Sequence, residues 1–76
     1  MRLSVGGYLG FYLPGFKRGL ELELPQPTPL LEILANLGIP PAEVHLAVVN
    51  GQNEIPGEAL ISDSDEVKLF SAVDGG

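Results

Sequence analysis

Two glycines, Gly75 and Gly76, close the sequence and are its one feature of a chemical kind. Neither carries a Cβ, so the backbone there can approach another group closely. The functional group that such an end presents is a carboxylate. Alone the pair is a weak signal: at a glycine usage near 7 %, about 0.5 % of chains would end this way by chance. Glycines also make easy frayed ends. Other chemistries are poorly provided for. Cysteine is absent, so no disulfide framework and no thiolate metal site is possible. His45 is the single imidazole and reads as a surface strand residue. Zinc would have to rely on it and scattered carboxylates, a poor ligand set. The motif G-x-S-x-G does not occur, and a Ser–His or Cys–His site is nearly excluded. Asp63, Asp65 and Glu66 lack EF-hand spacing and read as a solvated turn, so the expected number of metal sites is none.

The elements that position the diglycine must fit in 76 residues, which is one small domain, 1–76. The apolar share of 45 % is ordinary for a globular protein, and the pattern argues against disorder. No apolar run is long enough to span a bilayer. The start of the chain carries Arg2 but no long apolar stretch of the secretory kind. The expected compartment is the cytoplasm. The net charge is −6, and Arg2, Lys17, Arg18 and Lys68 are the only Lys or Arg residues. A phosphate backbone would be repelled, which speaks against nucleic acid. A basic protein partner would be steered toward such a surface; equally, the acidity would keep a small protein soluble.

Arg2-Leu3-Ser4-Val5 alternates polar and apolar and predicts a first strand, which Gly6-Gly7 breaks or bulges. Residues 8–16 are unusually aromatic for a connection, and Tyr8, Phe11, Tyr12 and Phe16 are expected to form a satellite core beneath it. The strict alternation over residues 20–24 predicts a second strand, hairpinned to the first. Thr28 reads as an N-cap with Pro29 at the first helical position. Leu30, Ile33, Leu34 and Leu37 then follow at helical spacing, giving an amphipathic helix over residues 29–37. Gly38 suits the left-handed position after it, with Ile39 folding back. Residues 45–49 predict a third strand, central because nearly all apolar. Asn50-Gly51 marks a tight turn. Leu60-Ile61 is a short strand, and residues 66–72 are the last. The core is expected from Leu3, Val5, Leu22, Leu30, Ile33, Leu34, Leu37, Leu46, Val48, Leu60, Val67 and Leu69. The first and last strands should lie parallel and adjacent at the centre. That is an α+β chain of the β-grasp, ubiquitin-like kind: a mixed four- to five-stranded sheet packed on one main helix.

A diglycine directly behind the last strand of such a domain gains force from its setting. The helix run Thr28-Pro29-Leu30-Leu31-Glu32-Ile33-Leu34, the strand and turn Val44-His45-Leu46-Ala47-Val48-Val49-Asn50-Gly51, and the tail from Asp65 through Val67, Leu69 and Phe70 to Gly76 carry a resemblance. On these segments the chain resembles the MoaD/ThiS family of sulfur carrier proteins. Ser71-Ala72 stands where such tails often have two prolines.

The resemblance implies a carrier rather than an enzyme, at most the small sulfur-carrying subunit of a synthase. A ubiquitin-activating-like enzyme would adenylate the Gly76 carboxylate, using ATP and Mg that this chain does not itself bind. A sulfur donor would convert the acyl-adenylate to a thiocarboxylate, and a synthase subunit would accept the tail. Gly75 and Gly76 would let the backbone thread a narrow channel to the nucleotide. Val73 and Asp74 would lie in the partner's grip; for Asp74, orientation against a basic group competes with simple solvation. With Val67 and Leu69 inward, Lys68 and Phe70 face out, and an outward Phe70 beside the tail reads as a docking anchor. The alternative is a Phe70 covered by the aromatic segment. Residues 73–76 are expected to be a flexible tail in the free protein. The resemblance also implies sulfur delivery in cofactor biosynthesis, with molybdopterin or tungstopterin favoured over thiamine by the long first hairpin and Leu69-Phe70. Two other readings share the sequence: a ubiquitin-like modifier conjugated through Gly76, and an interaction module that is never activated.

Overall fold

The computed structural model describes residues 1–13 and 19–71. In chain order it runs β1 (Arg2–Val5), a 3-10 segment (Gly7–Tyr12), β2 (Leu20–Glu21), β3 (Thr28–Pro29), helix α1 (Leu30–Leu37), a 3-10 turn (Pro41–Glu43), β4 (Val44–Val49), β5 (Gln52–Glu54), β6 (Leu60–Ile61) and β7 (Glu66–Ser71). Five strands form one mixed sheet in the order β2-β1-β7-β4-β5. β1 and β7 are parallel neighbours, Leu3 opposite Val67 and Val5 opposite Leu69. Their parallel pairing requires a long crossover, and α1 lies within it. Leu30, Ile33 and Leu34 of α1 close over Leu3, Ala47, Val67 and Leu69 of the sheet. This is the α+β, β-grasp arrangement expected from the sequence.

The helix starts one residue later than the N-cap pattern predicts. Thr28 pairs with Ile61 and Pro29 with Leu60 in a two-stranded ladder of β3 and β6. Thr28 Oγ1 donates to the Gln26 carbonyl at 2.9 Å instead of capping. Pro29 holds the cap position, extended at φ −59° and ψ 138°. The far end matches expectation: Gly38 is left-handed at φ 76°. The Ile39 N–H returns to the Leu34 carbonyl at 3.0 Å and that of Gly38 to Ala35 at 3.3 Å, the Schellman arrangement that satisfies the last carbonyls. Ile39 is buried.

Other differences follow from which partner each backbone finds. The second strand is regular only at Leu20–Glu21. Met1 and Leu22 still exchange backbone hydrogen bonds of 2.8 and 2.9 Å, but the Leu24 N–H turns to Asp63 Oδ1 at 2.8 Å. β5 is not among the strands the sequence predicts; Asn50 (φ 51°) and Gly51 (φ 83°) turn the chain so that it pairs with β4. In β4 the pairing skips a residue between Val44 and Leu46, leaving His45 as an exposed bulge. Val44 and Ala47 consequently both face the core, and the expected core residues Leu46 and Val48 do not. In β6 the phase is likewise reversed: Leu60 is 61 % exposed and Ile61 is buried. Among the described residues of the aromatic segment, Leu9 and Leu13 are buried and Tyr12 packs half-buried against the main core, while Phe11, expected in a satellite core, is 82 % exposed and meets Tyr12 edge to face at 5.4 Å. The side chain of Tyr8, and Phe16, lie outside the described residues.

Candidate functional site

β7 is the strand that delivers the chain to the diglycine. Both of its edges are paired, to β1 on one side and β4 on the other. Its inner face, Val67, Leu69 and Ser71, is buried. A strand held on both edges and one face gives a tail a fixed point of departure. The alternation that buries Leu69 turns Lys68 and Phe70 to the opposite face, as the sequence predicts. Lys68 is exposed and Phe70 partly buried.

The pairing register shows what surrounds them. Leu46 lies opposite Phe70 and Val48 opposite Lys68 across the β4 ladder, and Ser4 flanks Lys68 on β1. Residues directly opposite share a face. The open face of the sheet therefore carries a small apolar group, Leu46, Val48 and Phe70, with Lys68 beside it. Residues 45–49 are nearly all apolar, so the sequence shows no phase that would keep Leu46 and Val48 out of the expected core. The bulge at His45 sets it. Gly6, read from the sequence as a break or bulge, lies against the Phe70 ring.

The opposite end of β7 is clamped. Asp65 Oδ2 accepts from the Ser62 N–H at 2.8 Å and Oδ1 from Asn50 Nδ2 at 2.9 Å. The Glu66 N–H donates to Asn50 Oδ1 at 2.9 Å, and the Asn50 N–H returns to the Glu66 carbonyl at 2.8 Å. These bonds tie the β4–β5 turn to the start of β7. The Ser62 N–H, then the Asn50 amide, hold the Asp65 carboxyl below its ordinary value. Asp63 is lowered too, first by the Leu24 N–H and then by the Met1 amino group, 3.5 Å away. The turn is exposed at Asp63 and Ser64, as expected, and is also a structural clamp.

Val73, Asp74, Gly75 and Gly76 lie outside the described residues, so the partner-binding and activation roles expected of them concern a part of the chain beyond β7. A groove between α1 and residues 22–28 is lined by Leu22, Leu24, Ile33 and Leu37 with Glu23 and Glu32. It sits by the helix rather than on the open face with Phe70. No helix among the described residues is long and apolar enough to cross a membrane.

A mixed five-stranded sheet packed on one helix is the β-grasp, ubiquitin-like arrangement. The model of the ThiS family matches residues 11–76, and the chain belongs to that family of sulfur carriers. Its members are small carrier proteins, not enzymes themselves, and work with adenylating and synthase partners. No curated protein and no solved structure matches the chain.

Proposed function

We propose that this chain carries sulfur on the carboxylate of Gly76. The observation that supports this best is the family match itself, which runs to residue 76 and takes in the diglycine behind β7. A carboxylate is a poor acyl donor. An adenylating partner using ATP and Mg would let the Gly76 oxygen attack the α-phosphorus, with pyrophosphate leaving. A sulfide equivalent from the donor then displaces AMP and leaves a thiocarboxylate, which hands its sulfur to a biosynthetic intermediate at a synthase. The hard chemistry resides in the partners, and this chain supplies binding and reach. In this reading Phe70 and Lys68 meet the adenylating enzyme on the open face, while Val73, Asp74 and Gly75 pass into its channel. Among acceptors we favour a molybdopterin or tungstopterin precursor over a thiamine precursor. The first hairpin, long enough to hold a 3-10 segment, and Leu69-Phe70 support that preference.

ATP–pyrophosphate exchange with the adenylating enzyme of the same organism tests the reading. Gly76→Ala adds a methyl beside the reacting carboxylate, where a displacement of about 1 Å can cost about 100-fold in rate. Near-normal affinity with severely reduced exchange is expected. Unchanged exchange for both Gly76→Ala and deletion of Gly76 would exclude this carboxylate as the activated group. Intact-mass measurement after adding the sulfur donor should show the gain of sulfur for oxygen. Higher-mass conjugates in cells would instead indicate a protein modifier.

A further inference from the structure

Gly6 follows β1 with an extended backbone, φ −123° and ψ 171°, a region open to every residue type but proline. Its N–H donates to the Leu69 carbonyl at 2.8 Å, one step beyond the Val5–Leu69 pair that ends the β1–β7 ladder. Any residue other than proline could make that bond. Neither conformation nor hydrogen bonding therefore requires glycine at this position; space does. A Cβ on Gly6 would stand 3.0 Å from Phe70 Cδ1 and 3.1 Å from Cε1. Carbon atoms pack best at about 3.5–4.0 Å. The next neighbour, the Leu69 carbonyl oxygen at 3.8 Å, is in ordinary contact. At Gly10, by contrast, a Cβ would meet nothing within 4 Å. The closeness is specific to the aromatic ring.

The edge of the Phe70 ring thus rests on bare backbone. This accounts for a large side chain being partly buried on the open face of the sheet. A ring already seated loses less rotamer freedom when a partner covers it, and each side chain immobilised on docking otherwise costs about 0.5–1.5 kcal/mol. We propose that Gly6 is a positioning residue: its missing side chain forms the seat that orients the Phe70 ring in the free carrier for the adenylating enzyme. This inference rests on the docking role proposed for Phe70. An alanine at position 6 keeps the backbone and pushes the ring outward, because the atoms in the way belong to a side chain with solvent on one side.

The test uses Gly6→Ala, Phe70→Ala and the double variant in the full chain. Two readouts apply: aromatic NMR of the Phe70 ring in the free carrier, and KM and kcat for carrier in ATP–pyrophosphate exchange. Gly6→Ala is expected to shift the ring resonances. It should raise KM about 2- to 12-fold, the range given by one newly immobilised side chain, and leave kcat unchanged because the tail is untouched. In the Phe70→Ala background, Gly6→Ala should add nothing. Unshifted ring resonances in Gly6→Ala would overturn the seat. An equal rise of KM in both backgrounds would show that Gly6 touches the partner directly, and would overturn the positioning role. If Phe70→Ala alone leaves KM unaltered, the docking role of Phe70 fails and the purpose assigned to Gly6 falls with it; the ring resonances still report separately on the seat. Should Gly6→Ala fail to fold, a folded double variant traces the conflict to the ring, and an unfolded one refutes the contact.

Discussion

Leu69 and Phe70 are chain neighbours in β7, and truncating each to alanine should damage different properties. Leu69 is fully buried, between Val5 and Ala47 in the sheet. Leu69→Ala removes three carbon groups, about 2.4 kcal/mol at roughly 0.8 kcal/mol per buried CH2. The cavity left behind brings the expected loss to about 2.5–5 kcal/mol. At about 0.05–0.15 kcal/mol per residue, a chain of this size has about 4–11 kcal/mol in total. A large share of the stability, and with it the grip on the tail, therefore hangs on this side chain. Phe70 is only partly buried, on the other face. Phe70→Ala should cost about 1–2 kcal/mol of stability, since full burial of such a side chain is worth about 1.5–3 kcal/mol. Its docking loss should be about 1–3 kcal/mol, roughly 5- to 150-fold in affinity for the adenylating enzyme. Urea unfolding followed by circular dichroism gives the first quantity, and calorimetric titration the second. The Leu69→Ala midpoint should fall steeply with the slope unchanged. Equal stability losses for the two variants would refute the assignment of faces. Full affinity in Phe70→Ala would refute the docking role.

Asp65→Asn should be less stable than the parent at neutral pH, and the difference should narrow below about pH 4. The folded carboxyl lies below its ordinary value of 3.8, so its contribution is present above the unfolded pKa and is lost as pH falls through the lowered folded value; thermal unfolding across pH 2–7 measures this. Gly38→Ala should destabilise by about 1 kcal/mol, since a Cβ is strained at φ 76° even though the space is open. Equal midpoints in urea would contradict that. Leu60→Ser should leave stability within about 0.5 kcal/mol, whereas Ile61→Ala should cost about 2–5 kcal/mol; the reverse order would place β6 in the other phase.

Local signals were sufficient wherever a few consecutive residues settle the conformation. Asn50-Gly51 turns left-handed because those two residues tolerate positive φ at little cost. Gly38 ends α1 for the same reason, and the apolar spacing of residues 30–37 selects the face that α1 buries. The alternation in β7 told Val67 and Leu69 from Lys68 and Phe70, and the order of elements placed β1 beside β7. The phase of β4 was not legible: a run of apolar residues offers no alternation, and the bulge at His45 arises from pairing with β7 far along the chain. Leu60 and Ile61 are chemically interchangeable, and only the pairing of β6 with β3 decides which one is buried. Asp63 and Asp65 read in sequence as a solvated turn; the clamp comes from their bonds to Leu24 and Asn50, which are remote in sequence. The seat of Phe70 on Gly6 has the same origin. Backbone preference acts over a few residues and can be read from them, whereas register, sheet face and close packing are set by contacts that exist only once the chain has folded.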